Sequence, residues 1–212
     1  MHLSLMFILC SFCFSISSND VLKALGSDVK WDFVDIDNDL YCYSYKDKEK
    51  NIKLIKIEKE FSNQALDVFS VIKDIQNYNN ITSNESLYSK LVQSKQDTIW
   101  GYQLIKNPIP FTRDRQYVFK MYQLEENKLV WTIDDSIVNP MTNSEDAKNL
   151  KIGAGSWEIK YRNDKKILIN KIYVNDEMNI PGFIIDNLRI RHVAQIFKDV
   201  INAAKNKYGD LK

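Results

Sequence analysis

The sequence predicts an α+β domain in which one curved antiparallel β-sheet wraps around a long C-terminal α-helix. Three observations lead there. Most of the chain reads as strand-length runs rich in β-branched and aromatic residues, joined by short polar connectors. One helical pattern interrupts these runs early, and a second, longer one ends the chain. Glycine and proline are sparse, six and four in 212 residues, so each break is informative. The length suits one domain.

Residues 1–18 stand apart. From Leu3 to Ile16 the segment is apolar and uncharged, the length of a signal-peptide core and too short to span a bilayer. Ser15 and Ser17 supply the small residues expected before a cut near Ser17–Ser18. Export, periplasmic or secreted, is the expectation. Retention as a membrane anchor, or lipidation at Cys10 or Cys13, is the alternative. The segment offers only the chain amine and His2 as positive charge, and neither cysteine follows a good lipidation box. Removing it takes Cys10 and Cys13 and leaves Cys42 alone, so no internal disulfide forms. Stability must come from the core of the remaining domain, 19–212. Two glycosylation sequons, at Asn80 and Asn84, matter only in a host that glycosylates.

Within that domain, Val21 to Gly26 reads as a short helix. Trp31 to Ile36 and Leu40 to Tyr45 read as strands joined by a turn cluster, and Ile52 to Phe61 as a third. The period then changes. Ser62 is the expected N-cap of a helix whose stripe is Ala65, Phe69, Ile72 and Ile75, widened by Leu66 and Val68. Six strands follow: Leu87 to Ser94, Thr98 to Ile105, Tyr117 to Leu124, Leu129 to Ile137, Ser156 to Tyr161 and Ile167 to Val174. Connectors such as SKQD, EEN and RNDKK predict antiparallel hairpins. Asn139 to Gly155 is a longer polar loop, and its GAG end (Gly153 to Gly155) is a candidate flexible partner for a gate, or a plain bulge or turn.

The last helix starts at Pro181, where a missing N–H costs nothing. Phe183, Ile190, Val193, Ala194, Phe197, Val200, Ile201 and Ala204 form one stripe, with Asp186, Arg189, Lys198, Asp199 and Asn202 elsewhere. The stripe runs about 33 Å. A strongly twisted sheet of this size curls, and a helix of that length lying in the curl covers its apolar face.

Two blocks resemble a known family. GSWEIKY (Gly155 to Tyr161) and KILINKIYVNDEMNIPGFIIDN (Lys166 to Asn187) are similar to the last strands, turn and helix start of START domains, lipid-transfer members of the helix-grip superfamily. Ile180, Pro181, Phe183, Ile184, Ile185 and Asn187 carry the match. Glu177-Met178-Asn179 stands where that turn often has Pro-Gly-Gly. NPIPFTRDRQYVF (Asn107 to Phe119) resembles the family's Pro-rich stretch, Arg-Asp pair and strand, with Arg113 or Arg115 at the family's arginine position. The resemblance spans Trp31 to Lys205. It implies a helix-grip fold holding one lipid or sterol-like molecule between sheet and helix.

Candidate ligand contacts follow. Trp100 and Tyr102 share a face with Leu104; Tyr117, Phe119 and Met121 share one; Trp131 and Ile133 share one with Leu129. Phe183, Asn187, Ile190 and Ala194 add the helix side, and Phe183 to Leu188 is the natural gate. Any of these also serves a packed core. Polar candidates are Arg115 and Asp135, as an Asp135–Arg or Asp134–Arg pair, with Lys120 beside them; a surface pair is the alternative. Burying a ~16-carbon chain gains ~12 kcal/mol at ~0.8 per methylene. A bilayer offers nearly the same, so the polar end discriminates, at ~1–3 kcal/mol per unpaired group.

Other classes are disfavoured. Net charge is +1, with no basic footprint for nucleic acid and no polybasic signal for anionic membranes, so membrane contact is expected to be transient. The domain has one histidine, His192, expected on the polar side of the helix, and no Cys/His cluster for a metal. Phosphate-loop, dinucleotide and Gly-x-Ser-x-Gly signatures do not occur. No cofactor is expected. The expectation is a monomeric, non-enzymatic carrier. An aromatase/cyclase-like enzyme using the same cavity is the alternative, and a module whose helix stripe meets another protein is a third reading.

Overall fold

The structure, a computed structural model, describes residues 16–37, 39–48, 52–61, 67–83, 85–106, 112–137, 146–175 and 182–208; for 36, 182–185 and 207–208 only the backbone is described. The chain opens with α1 (Ser18–Gly26), followed by β1 (Asp32–Asp37), β2 (Leu40–Asp47) and β3 (Ile52–Phe61). Three short helical pieces come next: α2 (Val68–Lys73), a 3-10 turn (Ile75–Asn77) and α3 (Tyr78–Ile81). Then come β4 (Leu87–Lys95), β5 (Thr98–Ile105), β6 (Arg115–Glu125), β7 (Lys128–Ile133), β8 (Lys148–Asn149), β9 (Gly153–Arg162), β10 (Lys165–Val174) and α4 (Gly182–Tyr208).

The strands form one open sheet in the order β1-β2-β3-β10-β9-β7-β6-β5-β4, with β8 pairing β6. Every pair is antiparallel except β6 with β8. Turn chemistry sets the hairpins. Asn163 and Asp164, between β9 and β10, have φ of 49° and 60°. That is the primed turn whose twist matches the flanking strands, and Asn and Asp tolerate it best after glycine.

α4 lies along the concave face, and its stripe makes the main core. Phe197, Val200 and Ala204 are fully buried, and Phe197 stacks on Trp157 of β9 with centroids 5.4 Å apart. At 27 residues, the helix is about 40 Å long at 1.5 Å per residue. A smaller cluster covers the convex face, where Val21, Ala24 and Leu25 of α1 meet Ile52, Leu54 and Ala154. Ser17 caps α1 in a capping box with Asp20, and Lys171 Nζ donates to the Leu25 carbonyl at its other end (2.9 Å).

Several sequence expectations need correction. α2 is capped by Asp67, whose carboxylate accepts from the Ser70 N–H at 3.0 Å; Ser62 to Leu66 lie outside the described residues. The first helical region is broken at Asp74 rather than continuous. β7 stops at Ile133, not Ile137. The GAG segment is not a turn. It is the paired start of β9, in register with β10 from Val174↔Gly153 onward. Asp199, expected on the polar side of α4, is 6% exposed. It accepts from the Ser83 N–H (2.8 Å) and Oγ (3.0 Å) and from Gln195 Nε2 (2.9 Å), which ties the segment after α3 to the helix.

Candidate binding cavity

Between the concave face and the first half of α4 the packing opens into a cavity of about 440 Å³. Its wall is mostly apolar, with Ile55, Phe119, Met121, Trp131, Trp157 and Ile172 from the sheet and Leu188, Val193 and Ile196 from α4. Tyr78 and Ile75 close it from the short helices, and Leu150 from the segment after β8.

Strand parity decides which residues face it. β5 pairs β6 with Gln103↔Tyr117, Gly101↔Phe119 and Ile99↔Met121. Directly opposed residues share a face, so Ile99, Gly101 and Gln103 are concave, and Trp100, Tyr102 and Leu104 convex. Two glycines then make room for rings. A Cβ at Gly101 would lie 2.4 Å from Phe119 Cζ, and one at Gly155 2.5 Å from Trp131 Nε1. With no side chain there, Phe119 and Trp131 lie against the sheet instead of filling the space beneath α4. Tyr117 stacks on Trp131 with an interplanar angle of 14°, and Phe119 meets it edge-on at 6.1 Å.

Few polar groups reach the interior. The Tyr117 hydroxyl donates to Gln103 Oε1, and Gln103 Nε2 donates to Ser89 Oγ at 3.2 Å. Asn170 is 3% exposed and donates to the Ser156 carbonyl at 3.2 Å. Burial pushes the Tyr78 phenol well above its ordinary range; Tyr117 is pushed the same way by burial and by its neighbour Tyr78. Both stay neutral donors. Burial also lowers the pKa of His192, which lines the cavity from α4. Its expected place on the polar side is therefore wrong.

Of the residues singled out from the sequence, Arg115, Tyr117, Phe119, Met121 and Trp131 line the cavity together. Others lie elsewhere. Trp100 is convex and donates from Nε1 to Asp134 Oδ2 at 3.0 Å. Tyr102, also convex, bonds Gln116 Oε1 at 2.9 Å. Ile133, Ile190 and Ala194 are packed core. Asn187 is exposed on α4, and Asp135 is exposed in the turn after β7. The side chain of Phe183 lies outside the described residues. The expected acid–arginine pair takes other partners. Burial raises the Asp134 pKa, but hydrogen bonds from Ser136 and Trp100 outweigh that and hold it low. Arg115 donates to the Arg113 carbonyl. Lys120 is convex, over the Tyr122 ring at 5.6 Å. Gln103, Asn170 and Trp157 were missed. Asn170 carried a signal, since asparagine amid ILINKIYV is out of place in a buried strand.

No protein-family model and no curated protein sequence matches the chain. Solved structures do. The STAR-related lipid transfer protein from Xanthomonas axonopodis (fragment 25–204) superposes with a TM-score of 0.68 at 12% identity, covering 82% of this chain and 98% of that one. Human STARD10 gives 0.62 at 11% identity, covering 90% and 82%. Human StAR-related lipid transfer protein 5 gives 0.62 at 10% identity, covering 89% and 92%. At such identities the likeness speaks for architecture. The open antiparallel sheet gripping α4 is thus the helix-grip fold of START domains.

Proposed function

We propose that this chain binds one hydrophobic small molecule of the lipid class in the cavity beneath α4 and carries it unchanged, as a monomer that meets membranes transiently. The observation that carries this reading is the cavity itself. It holds about 440 Å³ of space behind an apolar wall, in the range of sites that enclose small ligands. Water there finds few partners, whereas a methylene gains ~0.8 kcal/mol on leaving water. Because a bilayer gives about the same gain, exchange with a membrane is near balance. That suits transfer better than storage.

Native mass spectrometry of the purified chain tests this. One lipid-sized adduct per chain, released unaltered by organic solvent, is expected. Val193→Trp, which projects an indole from α4 into the cavity, should lose the adduct while keeping its circular dichroism spectrum. A chain that stays empty when offered lipid vesicles overturns the reading. Release of a chemically altered molecule favours the enzymatic alternative instead.

We also propose export directed by residues 1–18. Ser17 caps α1, so a cut at Ser17–Ser18 costs the mature fold about 1 kcal/mol. N-terminal sequencing of the native protein should begin near Ser18; recovery from cytosol with Met1 intact overturns export.

A further inference from the structure

The cavity is charged on one side only. Its lining includes Lys53, Lys106, Arg115, Arg189 and Arg191 and, among the described residues, no aspartate or glutamate. The whole chain balances 29 Lys and Arg against 28 Asp and Glu, so this imbalance is local. Asp186 offsets part of it from the edge. It accepts from Lys53 at 2.7 Å and lies 3.8 Å from Arg189. Lys106 and Arg191 are exposed and form no ion pair among the described residues.

The register places these cations at one end of the sheet. Lys53 lies at the start of β3, next to the end of β10, which pairs the start of β9 (Ile55↔Ile172, Val174↔Gly153). Arg115 opens β6 opposite Ile105, the end of β5, and Lys106 follows. Arg189, Arg191 and His192 come from the early turns of α4 above that same end. The deeper wall, at Phe119, Met121, Trp131 and Trp157, is aromatic and apolar. A greasy pocket with a cationic rim matches an amphiphile with an anionic head.

Size narrows it further. At roughly 30 Å³ per water-sized group, about 440 Å³ is room enough for one acyl chain. Resting on the lipid-binding reading above, we propose that the ligand is a single-chain lipid anion. Its carboxylate or phosphate head sits at the rim formed by Lys106, Arg191 and Arg115, and its chain lies against Phe119, Met121 and Trp131. The anionic head meets opposite charge at that rim. Lys106 and Arg191 are exposed, so their share of the contact weakens with salt.

The test compares hexadecanoate, hexadecyl phosphate and hexadecanol on the delipidated full-length chain by titration calorimetry. Both anions should bind at least tenfold tighter than the alcohol. In Lys106→Glu/Arg191→Glu, surface changes that leave the core intact, that preference should fall below threefold. Equal binding of hexadecanol overturns the anionic head while leaving lipid binding in place. No binding of any of the three overturns the lipid reading and this inference with it. A preference that survives the double charge reversal overturns the rim as its source. Two further arms separate the origin of the anion. Inorganic phosphate at 1 mM should not displace hexadecanoate; if it does, the site is a plain anion site and the single-chain assignment fails. Vesicles of phosphatidylcholine and phosphatidylglycerol should retain Val193→Trp no better than vesicles of phosphatidylcholine alone. Charge-dependent retention of that plugged variant would show that the cations read a membrane surface, and would overturn the proposal.

Discussion

Asp199 shows how one side chain can depart from its helical pattern for a physical reason. On a bare helix it would face water. The segment at Ser83 covers it and supplies donors from backbone and hydroxyl, joined by Gln195. Asp199→Ala should cost roughly 1–3 kcal/mol, because buried donors lose their acceptor; the urea midpoint should fall at unchanged slope. His192 makes stability depend on acid. Burial holds its pKa below the unfolded value of about 6.5. Between the two values the unfolded chain takes up a proton that the folded chain refuses. Stability therefore falls as pH drops through 6.5, and the loss is complete below the folded pKa. Between pH 7.5 and 5.5 the urea midpoint of His192→Gln should change less than that of wild type. At this scale the sequence was half legible. Tyr117, Phe119, Met121 and Trp131 could be grouped by alternation alone. Trp100 and Tyr102 could not be placed, because a face is inward or outward only by the register with β6, and their aromatic character argued for the wrong side.

Elements were easier to read than their partners. β3 and β5 have the bounds their patterns predict, Ile52–Phe61 and Thr98–Ile105, since polar residues flank both runs in the sequence. β8 was invisible, because two residues that pair β6 in parallel carry no periodicity. The first helical region was read too long. Its apolar spacing continues through Ile75, yet the hydrogen-bond pattern changes at Asp74, where the backbone leaves the helical region. α4 was read well because its stripe repeats over many turns, and its grip rests on Phe197. That ring is fully buried and stacks on Trp157. Phe197→Ala should cost about 3–5 kcal/mol, read as a lowered Tm, and weaken lipid binding by loosening α4 over the cavity. By contrast, Lys53→Ala and Lys198→Ala break ion pairs with Asp186 and Asp37 that are only partly buried. Each should change stability by less than ~1 kcal/mol.

At the scale of the molecule, composition and element order were enough for the α+β class and the gripping helix, but not for the strand order. Nothing in a hydrophobic pattern says that the chain, after β3, moves to the far edge and returns strand by strand. That return ends with β10 inserted between β9 and β3, where Ile172 meets Ile55 more than a hundred residues earlier. Such pairings are entropically late. During synthesis the β3 edge stays open until nearly all of the chain exists, and an open edge invites pairing with other chains. A chain ending at Asn163 should therefore show no cooperative urea transition. The full chain should refold slowly and aggregate more as its concentration rises during dilution from denaturant. The strand that completes the sheet is thus also the one whose late arrival leaves the young polypeptide sticky, and a chaperone present during dilution should raise the refolded yield.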